Sequence, residues 1–158
     1  MKVTTMRAST LLFGLSTLVL GFAVGCQRPA SAPPAASTPP ATGHRIVIEV
    51  NVEGPERWEG ILNNVDNLQK AFASDPPKIE VVAHAKGLGL LLATNEPLKA
   101  RMQAEHEAGV VFAACENTMK KQNVTKDQLM PFVTTVDSGV AEVVRKQEAG
   151  WAYIKGGG

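Results

Sequence analysis

RIVIEVNVEGPERWEGILNNVDNLQKAF, residues 45–72, changes its hydrophobic period once, and that change decides the fold. Ile46, Val47, Ile48 and Val50 crowd into five positions with branched side chains, the pattern of a strand (45–52) buried on at least one face. Gly54-Pro55 ends the run. From there Trp58, Ile61, Leu62, Val65, Leu68 and Phe72 recur at intervals dominated by threes and fours, which places them on one stripe of a helix over 56–73. Full burial of each such side chain contributes roughly 1.5–3 kcal/mol before conformational entropy is set against it.

The alternation continues downstream. Ser74-Asp75-Pro76-Pro77 breaks the chain, and KIEVVAHA (78–85) reads as a second strand. Lys86-Gly87-Leu88-Gly89 reads as a flexible turn leading into Leu90–Ala93. Asn95 caps a helix over 97–108 whose apolar face is thin, with Leu98, Met102 and Ala104. VVFAA (110–114) is a short, wholly apolar third strand, and Cys115-Glu116-Asn117-Thr118 turns into a helix ending near Gln122. Thr125 and Gln128 have the spacing of a capping box for a helix cut off by Pro131. A fourth strand is expected over 132–136, a helix over 138–149 with Val140, Val143 and Val144 inward, and a closing strand over 151–154. Strands that are nearly all apolar and separated by helices predict an α/β fold, a three-layer α/β/α sandwich around a five-stranded, mostly parallel sheet. Ligands of such sheets gather at the carboxyl ends of the strands, where Asn51, His84 to Gly89 and Cys115 to Thr118 fall.

That domain occupies residues 44–158 of the 158. Residues 1–26 carry Lys2 and Arg7 and no acid, then the apolar run LLFGLSTLVLGFAVG, then Cys26. The layout is that of a bacterial export signal. Its ending in Ala23-Val24-Gly25-Cys26 resembles a lipoprotein signal, in which the cysteine becomes the first mature residue and carries lipid. An uncleaved anchor is the alternative, although Leu11–Gly25 is shorter than the roughly 20 residues a spanning helix needs. Residues 27–43, with Pro29, Pro33, Pro34, Pro39 and Pro40, form a Pro/Ala/Ser-rich tether that can span roughly 50 Å at about 3 Å per residue. The expected location is the periplasmic side of a bacterial membrane, with Gln27 after the cysteine pointing to the outer of two membranes. The chain has 16 Lys+Arg against 15 Asp+Glu, and 14 against 15 once Lys2 and Arg7 are removed, a formal charge of −1. Such a balance leaves no basic footprint for nucleic acid or a polybasic membrane patch.

Cys115 is the only thiol besides Cys26, so the domain is expected to lack a disulfide. It stands at a strand-to-helix junction, where free backbone N–H groups favour thiolate over thiol; Glu116 opposes this if its carboxylate points inward. Such a thiolate can attack a sulfane sulfur and hold it as a persulfide. The alternative is a buried structural cysteine. His84 could take a proton from Cys115 or bind an anion, or be a half-buried histidine satisfied by backbone. Lys86 with the Gly87 and Gly89 amides could form an anion loop, although two glycines there are also ordinary turn chemistry. Asn64 and Asn67, one turn apart, either fasten backbone or face water. His44, His84 and His106 lack metal-ligand spacing, Ser138 lacks a nucleophile-elbow pattern, and no GxGxxG or GxxxxGK[ST] follows the first strand.

NVEGPERWEGILNNVDNLQKAF, VVAHAKGLGLLL, GVVFAACENTMKKQNVTKDQLMPFV and SGVAEVVRKQEAGWAYIK together resemble the DsrE/DsrF-like proteins, small α/β domains associated with sulfur oxidation and sulfur transfer. The resemblance runs from Arg45 to Lys155. Its most specific parts are Asn51…Trp58…Asn64-x-x-Asn67, Ala114-Cys115-x-Asn117-Thr118 and Gln147-x-x-Gly150-Trp151-x-Tyr153. It implies self-assembly as trimers or hexamers, a persulfide at Cys115, and His84 with its following loop lining the same pocket, without any cofactor. It also implies that Asn117 and Thr118 start the helix beneath the thiol and help fix the loop. Ala85 stands where relatives often have Gly, and well-studied sulfur carriers of this type act in the cytoplasm, whereas this chain is expected to be exported and tethered.

Two functions from different classes are therefore carried forward. One is a sulfur-relay domain with Cys115 and His84 as its site and a sulfur donor or acceptor protein as partner. The other is an oligomeric envelope binding or scaffold module in which Cys115 is structural. A hydrolase using His84 is a third possibility without a complete constellation.

Overall fold

A computed structural model describes residues 43–157. The expected signal, Cys26 and nearly all of the tether lie outside the described residues. Strands β1 (Arg45–Val50), β2 (Lys78–Ala83), β3 (Val111–Cys115), β4 (Thr134–Val136) and β5 (Ala152–Gly156) form one sheet in the order β4-β3-β2-β1-β5, every pair parallel. The expected mostly parallel sheet is thus wholly parallel among the described residues. Between the strands lie helices α1 (Pro55–Ala71), α2 (Glu96–Glu107), α3 (Glu116–Gln122) and α4 (Gly139–Glu148).

Strand order dictates how the helices divide. From β1 to β4 each strand is laid beside the last in one direction, and α1, α2 and α3 pack on one face. The chain then returns across the sheet to place β5 on the far side of β1. With right-handed crossovers, reversal of direction puts the connecting helix on the opposite face. The two cores follow this division. Ile46, Ile48, Val50, Ile79, Val81, Ala83, Phe112 and Ala114 meet Ile61, Leu62, Val65, Leu98, Met102 and Met119 on the first face. Val47, Val82 and Ala113 meet only Val143, with Val136 and Trp151 alongside, on the second.

Several local expectations are refined. Residues 85–91 form a 3-10 helix whose Gly87, Leu88, Leu90 and Leu91 are buried, in place of a flexible turn. Gly87 is required there, because a Cβ would lie 2.1 Å from the Val50 carbonyl oxygen. The capping box at Thr125 and Gln128 forms, but opens only the 3-10 turn Lys126–Gln128. The fourth strand is restricted to Thr134–Val136.

The orientation of α4 departs from expectation: Val143 is buried, but Val140 and Val144 are 56% and 47% exposed. The stripe at 139, 143 and 146 faces the sheet instead. Lys146 must reach Glu80, a carboxylate buried in β2 to which it is paired, and its ammonium also lies 4.4 Å from the centre of the Trp151 ring. Gly139 supplies the close approach at the other end of the stripe.

Candidate functional site

Parallel register brings four side chains into a row at the carboxyl ends of the strands. Val47 pairs with Tyr153, Val50 with Ala83, and Ala83 with Ala114. Side chains alternate between faces, so Tyr153, Glu49, His84 and Cys115 all project to the α4 side, on or just after β5, β1, β2 and β3. The sequence-predicted pair, Cys115 and His84, is therefore placed on neighbouring strands. A Cβ added to Gly139 would lie 3.0 Å from the His84 Cβ and 3.1 Å from the Cys115 Cβ. Those two atoms are thus no more than about 6 Å apart, and the first residue of α4 is wedged over both.

Cys115 is free and buried, 4% exposed. Burial alone pushes its thiol up. The Gly139 amide, the Thr118 hydroxyl and amide, and the Asn117 amide outweigh that effect and hold the thiol below its ordinary range. These donors come from the starts of two helices, α3 and α4, which the topology aims at the same sulfur. Glu116 does not oppose them at close range, since its Oε1 accepts from the Thr135 hydroxyl at 3.0 Å.

The imidazole of His84 is half-buried and engaged elsewhere. Its Nε2 lies 2.7 Å from Glu49 Oε1, and the Tyr153 hydroxyl donates to Glu49 Oε2 at 2.5 Å. Burial raises the Glu49 carboxyl, but Tyr153, His84 and the charge of Lys155 bring it below its ordinary value. The Tyr153 phenol is pushed up to about 12, chiefly by its hydrogen bond to that carboxylate. Sequence inspection singled out neither Glu49 nor the hydroxyl of Tyr153 as a site group. A lone acid in RIVIEV, facing away from the larger core, was the available signal.

The loop after His84 is fastened to α3. Ala85 N–H donates to Thr118 Oγ1 at 3.0 Å, and Gln122 Nε2 donates to the Ala85 carbonyl at 2.9 Å. Ala85 has φ 48°, a left-handed conformation that costs a residue with a Cβ roughly 1–2 kcal/mol. Thr118 is thereby shared between the loop and the thiol. Lys86 turns outward to Glu53 at 2.8 Å, and the Gly87 amide donates to the His84 carbonyl, so neither is held ready for an anion. A surface cavity of about 450 Å³ lies beside this loop, lined by Ala85, Lys86, Asn117, Thr118, Lys121 and Gln122.

Other candidates fall away from the row. Asn64 and Asn67 are exposed on α1. Trp58 Nε1 donates to the Val52 carbonyl at 2.9 Å, and its ring closes over Gly89, a packing role. His44 stacks on Phe72 and His106 on Phe132, both near the opposite ends of the strands.

The DsrE/DsrF-like family matches residues 47–155. The chain belongs to that family. At the family level it is a sulfur-relay-type domain. Among solved structures it is similar to a protein of unknown function from Methanobacterium thermoautotrophicum, with 33% identity and a TM-score of 0.67, covering 71% of this chain and 98% of that one. A conserved protein of unknown function from Bacteroides thetaiotaomicron shares the fold at 10% identity and a TM-score of 0.56, covering 70% of this chain and 93% of that one. No curated protein sequence matches.

Proposed function

We propose that this DsrE/DsrF-like domain takes sulfane sulfur on Cys115 as a persulfide and passes it to a partner thiol at the cell envelope. The observation that supports it is the cradle of amides and the Thr118 hydroxyl, which favours the thiolate at Cys115 even though the sulfur is buried. In the loading step the Cys115 thiolate attacks the outer sulfur of a donor persulfide, R–S–SH. A new S–S bond forms as the donor's S–S bond breaks; Cys115 becomes Cys–S–SH, and R–S⁻ leaves and takes up a proton. Electrons are exchanged only among sulfur atoms, so no prosthetic group is required. Transfer onward repeats the exchange with an acceptor thiol. Because the buried thiol lies against Gly139, a donor must displace the start of α4 or enter beside the loop after His84.

The test is intact mass of the full-length chain, reduced and then exposed to polysulfide. The expected result is a dithiothreitol-reversible gain of about one sulfur atom that is absent in Cys115→Ser. A thiol that stays unmodified until the protein is denatured would overturn this reading. It would favour instead the envelope scaffold with a structural Cys115.

Self-association belongs to the same proposal. The second face of the sheet has one helix over it, and that helix carries Val140 and Val144 on its outer side; Val111 and Tyr153, on the same side of the sheet, are 40% and 39% exposed. A second copy of the chain would cover this apolar surface.

A further inference from the structure

Glu49 is anomalous in its strand. It interrupts the apolar run of β1, is largely buried (16% exposed as a side chain), and faces the smaller core. A buried carboxylate is costly unless its oxygens are satisfied, and here both are, one by His84 and the other by Tyr153. An ionised carboxylate only accepts hydrogen bonds, so both neighbours must be donors. The proton of a neutral His84 is therefore on Nε2, and Nδ1 carries the lone pair. This assignment follows from the partners and not from the ring's own chemistry.

We infer that Glu49 and Tyr153 are positioning residues for His84, holding the imidazole by Nε2 so that Nδ1 is the nitrogen that carries protons for sulfur exchange at Cys115. The inference rests on the sulfur-transfer reading. In the loading step, Nδ1 takes the proton of the Cys115 thiol; the thiolate attacks the outer sulfur of R–S–SH; and the departing R–S⁻ recovers the proton from Nδ1. The sum is Cys–SH plus R–S–SH giving Cys–S–SH plus R–SH, with the histidine returned to its starting state. The imidazolium formed in between faces the Glu49 carboxylate, the same arrangement by which a buried acid orients and stabilises a catalytic histidine elsewhere. Tyr153 keeps that carboxylate turned toward the ring. Of the nearby charges, Lys155 acts on Glu49, Lys146 is occupied by Glu80 and Glu142, Glu116 accepts from Thr135, and Asp137 is paired with Arg145.

The test uses the full-length protein, with polysulfide as sulfur donor and loading followed by intact mass against time. His84→Ala should load about 100-fold more slowly than wild type, and Glu49→Gln and Tyr153→Phe each about 10-fold more slowly. Tyr153 lies on an edge strand and loses only a hydroxyl, so Tyr153→Phe keeps the test valid should Glu49→Gln fold poorly. The double variant Glu49→Gln/His84→Ala should be no slower than His84→Ala alone, because Glu49 acts through the ring; additive losses would indicate mere structural damage and overturn the inference. Nitrogen-15 NMR of wild type at about pH 8 should show the Nε2–H tautomer for His84, and an Nδ1–H tautomer would overturn it independently. Wild-type loading rates in the Glu49 and Tyr153 variants would defeat the positioning role and leave persulfide formation intact. Failure of wild type to load, or equal loading of Cys115→Ser, would defeat the sulfur-transfer reading itself and the use of the chain with it.

Discussion

At the scale of single residues, Glu49 and Glu105 are both carboxylates drawn largely out of water, and the fold treats them in opposite ways. Glu49 receives two donors and stays ionised, whereas Glu105 on α2 is 4% exposed and neither oxygen has a hydrogen-bond partner. Arg101 Nε lies 3.3 Å from Glu105, but that guanidinium also serves Asp66 and Asn63 on α1. Burial, reinforced by the charge of Asp66 and only partly countered by Arg101, pushes Glu105 up to about 7 from an ordinary value of 4.5. Between those values the folded state holds a proton that the unfolded chain releases. Stability therefore falls as pH rises through this window and levels off above it. Replacing Glu105 by Gln should remove that loss: from pH ~5 to pH ~8 the variant should gain about 2 kcal/mol relative to wild type. Urea denaturation at the two pH values measures it, and a difference that does not change with pH would show Glu105 ionised throughout. Glu105 was not anticipated in the sequence, where the α2 face read as Leu98, Met102 and Ala104; a charge at the same spacing looks like a solvated position until the packing is known. Ala85 is the converse case. The resemblance marked it as a departure from glycine, and its positive φ gives that departure a physical meaning.

At the scale of elements, α1 and α4 show what periodicity can and cannot decide. Six large apolar groups at helical spacing left α1 one way to pack, and Ile61, Leu62 and Val65 are buried as expected. In α4 the valines at 140, 143 and 144 indicated an inward face. The helix is turned away from that choice by Gly139, held over His84 and Cys115, and by Lys146, held to Glu80. A buried ion pair left half-made costs several kcal/mol, more than the partial burial of two valines returns. The consequence is an apolar stripe in water, which the proposed self-association would cover. Sedimentation velocity should show an oligomer for wild type, and Val140→Asp/Val144→Asp should shift it to monomer with an unchanged circular dichroism spectrum. A wild-type chain that sediments as a monomer at all concentrations would remove self-association from the proposal.

At the scale of the whole molecule, the α/β domain follows a segment expected from its sequence to be an export signal ending at Cys26, and a Pro-rich tether. We propose that Cys26 anchors the domain to a membrane and that its sulfur exchange takes place on the periplasmic side. Wild-type protein expressed in a bacterium should incorporate radiolabelled fatty acid and fractionate with membranes. Cys26→Ser should lose the label while retaining a folded domain. Incorporation that persists in the variant would eliminate Cys26 as the lipid site. Among the described residues no helix is long and apolar enough to cross a membrane.

The α/β class, the number of strands and their alternation with helices along the chain, and the position of Cys115 and His84 at strand ends were legible from sequence because each depends on local period and turn chemistry. The family resemblance rested on the same residues in the same order. Tertiary structure alone decided that β5 returns beside β1, which brings Tyr153 to Glu49 across 104 positions of chain. It alone decided that two helix starts converge on one sulfur and that the sulfur is covered. It also settled which face of α4 meets the sheet. These outcomes depend on which buried polar groups find partners, and partners distant in sequence leave no periodic trace in it.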